Sequence, residues 1–246
     1  MKTETRGGKY FWLSLGLALG WLSGLFISRR QPGGARRIAQ LEVWEESLAE
    51  KHGPQKAALL AAKVQARYEN LYSGRPRFYH RALRFHLESR ILPGIALYQI
   101  LLQNLREETT DREAALADLD CCFAAHVQGS SLPRQLSWML NNLPGAFAFL
   151  RVANRLGLRY GFPKQGWQYE WVEDSPRRIA YDITGCFYLN VLRAYGASEL
   201  TAHFCALDDQ LYGNLNGVAF ERSQTLGRGD PRCDFQFRPR QRTTAQ

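Results

Sequence analysis

The apolar positions of this chain change period once, near Gly157, and that change constrains the fold more than any other feature. From residue 38 to 156 they recur at helical spacing. Residues 38–52 end at Gly53-Pro54, a stop followed by a proline suited to a first turn. The stretch 55–72, rich in Ala, Leu and Lys, predicts a second helix; a third is expected around 77–90, and Pro93 opens another through Leu105. Thr110-Asp111-Arg112-Glu113 carries the Thr-x-x-Glu pattern that satisfies the free N–H groups of a helix start, which predicts a helix over 111–127. Residues 134–156 continue helical, with a break at Pro144-Gly145. Beyond Gly157, aromatic and β-branched residues gather in short runs at 167–173, 179–184, 217–225 and 232–238, which read as strands. Two helices, 186–195 and 198–212, interrupt them. Helices first and strands after predict an α+β fold, a helical half followed by a small antiparallel sheet with two inserted helices.

The N-terminus adds a transmembrane helix to that expectation. Residues 10–28, YFWLSLGLALGWLSGLFIS, are 19 uncharged and mostly apolar positions. At about 1.5 Å per residue they nearly match a hydrocarbon core of roughly 30 Å. Tyr10, Phe11 and Trp12 suit one membrane interface. A cleaved signal peptide needs small residues at its cut, whereas this run ends in Ser28-Arg29-Arg30. Four arginines follow the span and three basic residues precede it, which predicts a single-pass membrane protein with its main domain cytoplasmic. Five cysteines, an odd number, suit a reducing compartment. Gly16, Gly20 and Gly24 form a stripe through which two such helices can approach, a candidate homodimer contact. The expected plan is a tail and anchor at 1–30, a linker at 31–37, a helical part at 38–156, an α+β part at 157–237 and a basic tail at 238–246.

The formal charge is +9, which invites a nucleic-acid reading, but its placement argues against one. Residues 1–40 hold seven basic residues against Glu4, and 238–246 hold three; 41–237 carry 22 of each sign. The body is neutral. The flanking arginines read as anchoring groups at anionic lipid heads, so the expected partners are the lipid bilayer and a small-molecule substrate, with no nucleic acid.

The chain lacks the Walker, Gly-x-Gly-x-x-Gly, Gly-x-Ser-x-Gly and His-Glu-x-x-His strings. On the helix 198–212, Thr201, Cys205, Asp208 and Tyr212 are spaced four, three and four apart and share one face, with Asp209 beside it. A thiol, carboxylates and a phenol on one stripe suit a site; a capped surface helix with an ordinary buried cysteine is the plainer alternative. Cys186 starts a helix, where unpaired N–H groups favour the thiolate. Cys186, Cys205 and Cys233 with His203 make a weak zinc set, since their gaps are wide and no Cys-x-x-Cys occurs. Trp167, Trp171, Glu173 and Asp174 place aromatics among carboxylates, as a pocket or as an amphipathic strand with an acidic turn.

The ordered blocks GFPKQGWQYEWVEDSP, YDITGCFYLNVLRAYGASEL, HFCALDDQLYG and FERSQTLGRGDPRCDFQF resemble the L-2-amino-thiazoline-4-carboxylic acid hydrolase family. Upstream, ILPGIALYQILL and DREAALADL are similar to its helical half, so the resemblance covers residues 85–237. It implies hydrolysis of a cyclic amidine-like C–N bond towards a carbamoyl-cysteine. Such ring opening needs attack at the carbon between sulfur and two nitrogens, a proton for the leaving nitrogen and a cation for the ring carboxylate. Cys205 or Cys186 is a candidate nucleophile; alternatively Asp208 is a base for water, with Glu173 and Asp174 as further acid/base candidates. Arg222 is the expected carboxylate partner, with Trp171, Tyr212 and Thr184 as substrate contacts. The alternative is a membrane-tethered binding or sensor protein that keeps the pocket without turnover.

Overall fold

The protein is described by a computed structural model at residues 37–107, 112–129, 138–142, 145–213 and 215–240. Helix α1 (Leu41–His52) ends at Gly53, whose φ of 81° only glycine adopts without strain, and α2 (Pro54–Ser73) starts on the proline. Ala57, Leu60, Ala61, Val64, Tyr68 and Leu71 of α2 recur every three to four residues and are all buried, which makes one continuous apolar stripe.

The helix break expected at Pro93 does not occur. Helix α3 (Arg81–His86) passes through a π-helical turn at Leu87–Ile91 straight into α4 (Leu92–Glu107). In an unbroken α-helix the proline ring would meet the Ser89 carbonyl; the wider turn steps around it. The two carbonyls that Pro93 disturbs find side-chain donors elsewhere. The Tyr68 hydroxyl donates to the Glu88 carbonyl at 3.0 Å, and the Gln40 amide to the Ser89 carbonyl at 2.8 Å. Helix α5 (Arg112–Gly129) packs on α1 and α4 and completes the helical core.

Helix α6 (Ala146–Leu156) also ends in a π turn, Gly157–Gly161. The sheet follows: β1 (Gln168–Asp174), β2 (Ile179–Gly185), β3 (Val218–Glu221) and β4 (Cys233–Pro239). Its order is β1-β2-β4-β3 with every neighbouring pair antiparallel. Helices α7 (Phe187–Ala194) and α8 (Leu200–Gly213) lie between β2 and β3 in the chain. One sheet face is built from cross-strand aromatics: Tyr181 stacks on Phe235 at 5.1 Å, and Phe220 lies against Phe237 at 5.0 Å. This face packs with Phe147 and Leu150 of α6 into a second core, and Phe162, Tyr169 and Ile183 touch both cores. The site described below lies where the two cores meet.

The fold is therefore α+β, a helical half and a small antiparallel sheet with two inserted helices, but the membrane-spanning part of the expectation is corrected. Among the described residues no helix is long and apolar enough to cross a membrane. Even α2, at 20 residues, carries Lys56, Lys63, Arg67 and Glu69 along its length. The expected single-pass, cytoplasmic placement is corrected to the same extent: no helix among the described residues can serve as its span. The apolar run 10–28, its Gly16, Gly20 and Gly24 stripe, and Thr110, Asp111 and Pro144 lie outside the described residues.

Candidate active site

Helix α8 presents Cys205, Asp208 and Tyr212 on one face, and the loop after β3 brings Arg222 against it. The Arg222 side chain is 2% exposed. Its Nη1 donates to Asp208 Oδ2 at 3.0 Å; Nη2 donates to Asp209 Oδ2 at 2.8 Å and to the Cys205 carbonyl at 2.8 Å. Its flat face lies 5.1 Å from the Phe235 ring. The arginine is thus enclosed on all sides and holds the Asp208 carboxylate in place. It has no open fork for a substrate carboxylate, the role expected from the sequence.

Asp208 is surrounded by protein, and desolvation pushes its carboxyl up to about 6 against the opposing pull of Arg222. Yet 38% of its side-chain surface is open. Both facts fit a carboxylate open in one direction and screened from bulk water in the others. Tyr212, one helical turn further along α8, lines an apolar recess of about 80 Å³ together with Phe149, Asn154, Gly157, Phe162 and Tyr181 among others. Burial raises the Tyr181 and Tyr212 phenols, with Asp208 adding to both, so they stay protonated and can donate. The Tyr181 hydroxyl is anchored on Asn154 Oδ1 at 3.0 Å.

Three thiols surround Asp208 in unequal states. Cys205 and Cys233 interact as a coupled pair of thiols, and this contact together with burial drives the Cys205 pKa far up. Cys233 is lowered by the same contact and by the Leu226 N–H, 3.3 Å from its sulfur. It is nevertheless buried on β4, at 5% exposure. Cys186 stands at the N-cap of α7, where its sulfur does meet the backbone N–H groups of Leu189 and Tyr188, but burial outweighs them and pushes it up to about 11. The thiolate expected at this helix start is corrected to a thiol.

The loop that serves Cys233 is held by hydrogen bonds within itself. Thr225 Oγ1 accepts from the Gly227 N–H at 3.2 Å and opens a short 3₁₀ turn, Leu226–Arg228. Asp234 accepts from the Ser223 hydroxyl and the Gln224 N–H, each at 2.6 Å. Gly227 lies so close to α8 that a Cβ would stand 2.9 Å from the Ala202 nitrogen. Gly227→Ala is therefore expected to cost about 1–3 kcal/mol, the range for overpacking against backbone. Denaturant midpoints read the loss. The pH profile of Cys233 alkylation tests the linkage, since a displaced loop withdraws the Leu226 N–H and raises the thiol, while its contact with Cys205 remains.

The sequence reading missed His86, the last residue of α3. Its Nε2 faces the Gly161 carbonyl at 2.9 Å, which only accepts, so this nitrogen carries the proton. Nδ1 is then bare and accepts from the Tyr188 hydroxyl at 2.9 Å. Burial lowers the imidazole to about 4 and keeps it neutral, among Phe162 at 5.1 Å and Trp167 at 4.9 Å. One π turn begins just after this histidine, and the other ends at the glycine it binds. Such turns recur at functional sites. Between Phe85 and Leu87 the residue reads as an ordinary helix position, because both partners lie 75 or more residues away.

Other expected residues fall elsewhere. Asp174 is gripped by Arg151 and Arg155 of α6; burial raises its carboxyl, but the two arginines outweigh that and hold it below the usual range. Glu173 accepts from the Ser175 hydroxyl at 2.7 Å and from Arg178 at 3.4 Å. Both carboxylates brace the β1–β2 turn. Trp171 pairs with Tyr181 across the strands and meets its ring edge-on at 5.4 Å, beside the recess. Thr184 is exposed and, by strand alternation, faces away from Tyr181 and Ile183. His203 pairs with Asp120 of α5 at 2.6 Å. Among the described residues no group of three or more His, Cys, Asp and Glu is placed to hold a metal, so Cys186, Cys205, Cys233 and His203 do not form a ligand set.

No curated protein and no solved structure matches the chain. The sequence model of one family, L-2-amino-thiazoline-4-carboxylic acid hydrolase, matches residues 84–237. That stretch is more than half of the chain and contains His86, Cys186, Tyr188, Cys205, Asp208, Arg222 and Cys233. The chain belongs to the L-2-amino-thiazoline-4-carboxylic acid hydrolase family.

Proposed function

We propose that the protein opens the ring of a small 2-amino-thiazoline carboxylate, with Asp208 as general base. The observation that carries this is a carboxyl at about 6, fixed by a buried arginine and one helical turn from Tyr212, which lines the aromatic recess. A base poised near neutral pH is both ionised and a competent proton acceptor there. Asp208 takes a proton from water as the oxygen bonds to the carbon flanked by sulfur and two nitrogens. The bond from that carbon to the ring nitrogen then breaks, and the nitrogen leaves as an amine with a proton supplied by a phenol of the recess or by Asp208. One water is consumed and a carbamoyl-cysteine results. Cys205 and Cys186 remain protonated, which favours water over sulfur as the attacking group.

The test incubates the full chain with L-2-amino-thiazoline-4-carboxylate and follows the mass of the small molecule. Gain of one water with loss of the ring supports the hydrolase. Thermal stabilisation by the thiazoline with no product would support instead a binding protein that keeps the pocket without turnover.

A further inference from the structure

The reaction needs a cation for the ring carboxylate, and Arg222 is fully occupied by Asp208, Asp209 and the Cys205 carbonyl. A second arginine stands in the opposite state. Arg90 lies in the π turn Leu87–Ile91, which packs against α7, the helix that carries Cys186 and Tyr188 at its start. The residue is partly buried. Nη1 donates to His126 Nε2 of α5 at 3.0 Å, and the Phe85 ring lies 5.8 Å away. For that bond to form, His126 must be neutral, and burial together with the arginine's charge lowers its imidazole to about 4. His86, the residue before this turn, is neutral as well. Among the described residues no carboxylate lies within ion-pair distance of Arg90, whereas Arg75, Arg112, Arg151, Arg155, Arg178 and Arg222 each have one. A partly buried charge bonded to a neutral imidazole, with no carboxylate beside it, is costly unless an anion joins it.

Tyr188 ties this cation to the catalytic face. Its ring lies 5.6 Å from His86 and 5.1 Å from Phe204, the residue before Cys205. Its phenol feels Arg90 together with Cys186, Cys205 and Asp208. We infer that Arg90, oriented by His126, is the receptor for the carboxylate of the ligand, and that it restricts the site to small cyclic carboxylates. The inference rests on the function proposed above for the identity of the ring. The π turn has a physical use in this arrangement. It rotates the helix register between His86 and Leu92, so that one short segment presents both the histidine that holds Tyr188 and the arginine.

Calorimetry on the full chain compares three ligands: L-2-amino-thiazoline-4-carboxylate, its uncharged carboxamide and 2-amino-thiazoline. A charge-assisted pair is expected to give the carboxylate an advantage of about 10–100-fold. Arg90→Met, which keeps the alkyl stem, should level the three, and Arg90→Lys should restore part of the preference. Melting of the unliganded variants reads folding separately. A preference that survives Arg90→Met, or its absence in the wild type, overturns the inference. Product formation with an Arg90-independent preference leaves the hydrolase reading standing alone. An Arg90-dependent preference without product leaves the carboxylate receptor standing and removes the hydrolase. If the wild type binds none of the three, both fall.

Discussion

Asp208→Asn is expected to lower kcat/KM for ring opening by about 10²–10⁴-fold, the span measured for losing a general base. Asparagine keeps the volume and leaves Oδ1 to accept from Arg222, so the loss reports the missing proton acceptor and not a collapsed site. The base works only when ionised. Wild-type kcat/KM should therefore rise with pH through about 6, the value at which desolvation sets this carboxyl, and level off above it. The variant should lose that limb along with the rate. A linked sign applies to stability: a carboxyl raised above its unfolded value favours the folded state below about 4 and loses that advantage as pH rises through about 6. Wild-type stability relative to Asp208→Asn should fall across that window. Cys205→Ala separates the mechanisms, since a thiol held protonated by its bond to Cys233 contributes little to attack on the ring. A loss in Cys205→Ala as deep as that in Asp208→Asn, with no limb near 6, would move the attack from water to sulfur.

The part of this site that could be read from the sequence is the part with local geometry. Thr201, Cys205, Asp208 and Tyr212 share a face because helix spacing alone puts them there, and the strand runs at 167–173 and 179–184 fall on β1 and β2. Readings that depended on distant partners went astray. Arg222 was expected to grip a substrate carboxylate, but whether its fork is open depends on Asp208 and Asp209, 14 and 13 residues away, and on a carbonyl of α8. Glu173 and Asp174 looked like pocket acids until Ser175 and Arg178 engaged the first and Arg151 and Arg155 of α6 the second. Cys186 stands at the helix start expected, and the N–H groups are there, but the burial that outweighs them comes from the whole fold. Pro93 marks a break in most helices; here Tyr68 and Gln40, from another helix and the turn before α1, make a π turn tolerable instead.

Arg222→Met is the stability counterpart of the Asp208 prediction. Methionine fills the volume against Phe235 but removes three donated hydrogen bonds and, among the described residues, the only cation bonded to Asp208. Breaking a fully buried pair from one side costs about 3–5 kcal/mol. Here Asp208 and Asp209 keep 38% and 57% of their side-chain surface open, and water takes over part of the loss. The expected destabilisation is accordingly about 2–3 kcal/mol, read from urea midpoints. The catalytic effect has its own direction. Arg222 draws the Asp208 pKa down against desolvation, so its removal drives the carboxyl further up and the acid limb of kcat/KM above 6. Arg222→Lys keeps the charge and loses the fork; it should hold the limb near 6 while recovering only part of the stability. A lower urea midpoint with an unmoved limb in Arg222→Met would make the arginine a brace of the loop and α8 alone. A limb that moves up in Arg222→Met and returns in Arg222→Lys assigns it the tuning of the base, because lysine restores the charge without the fork.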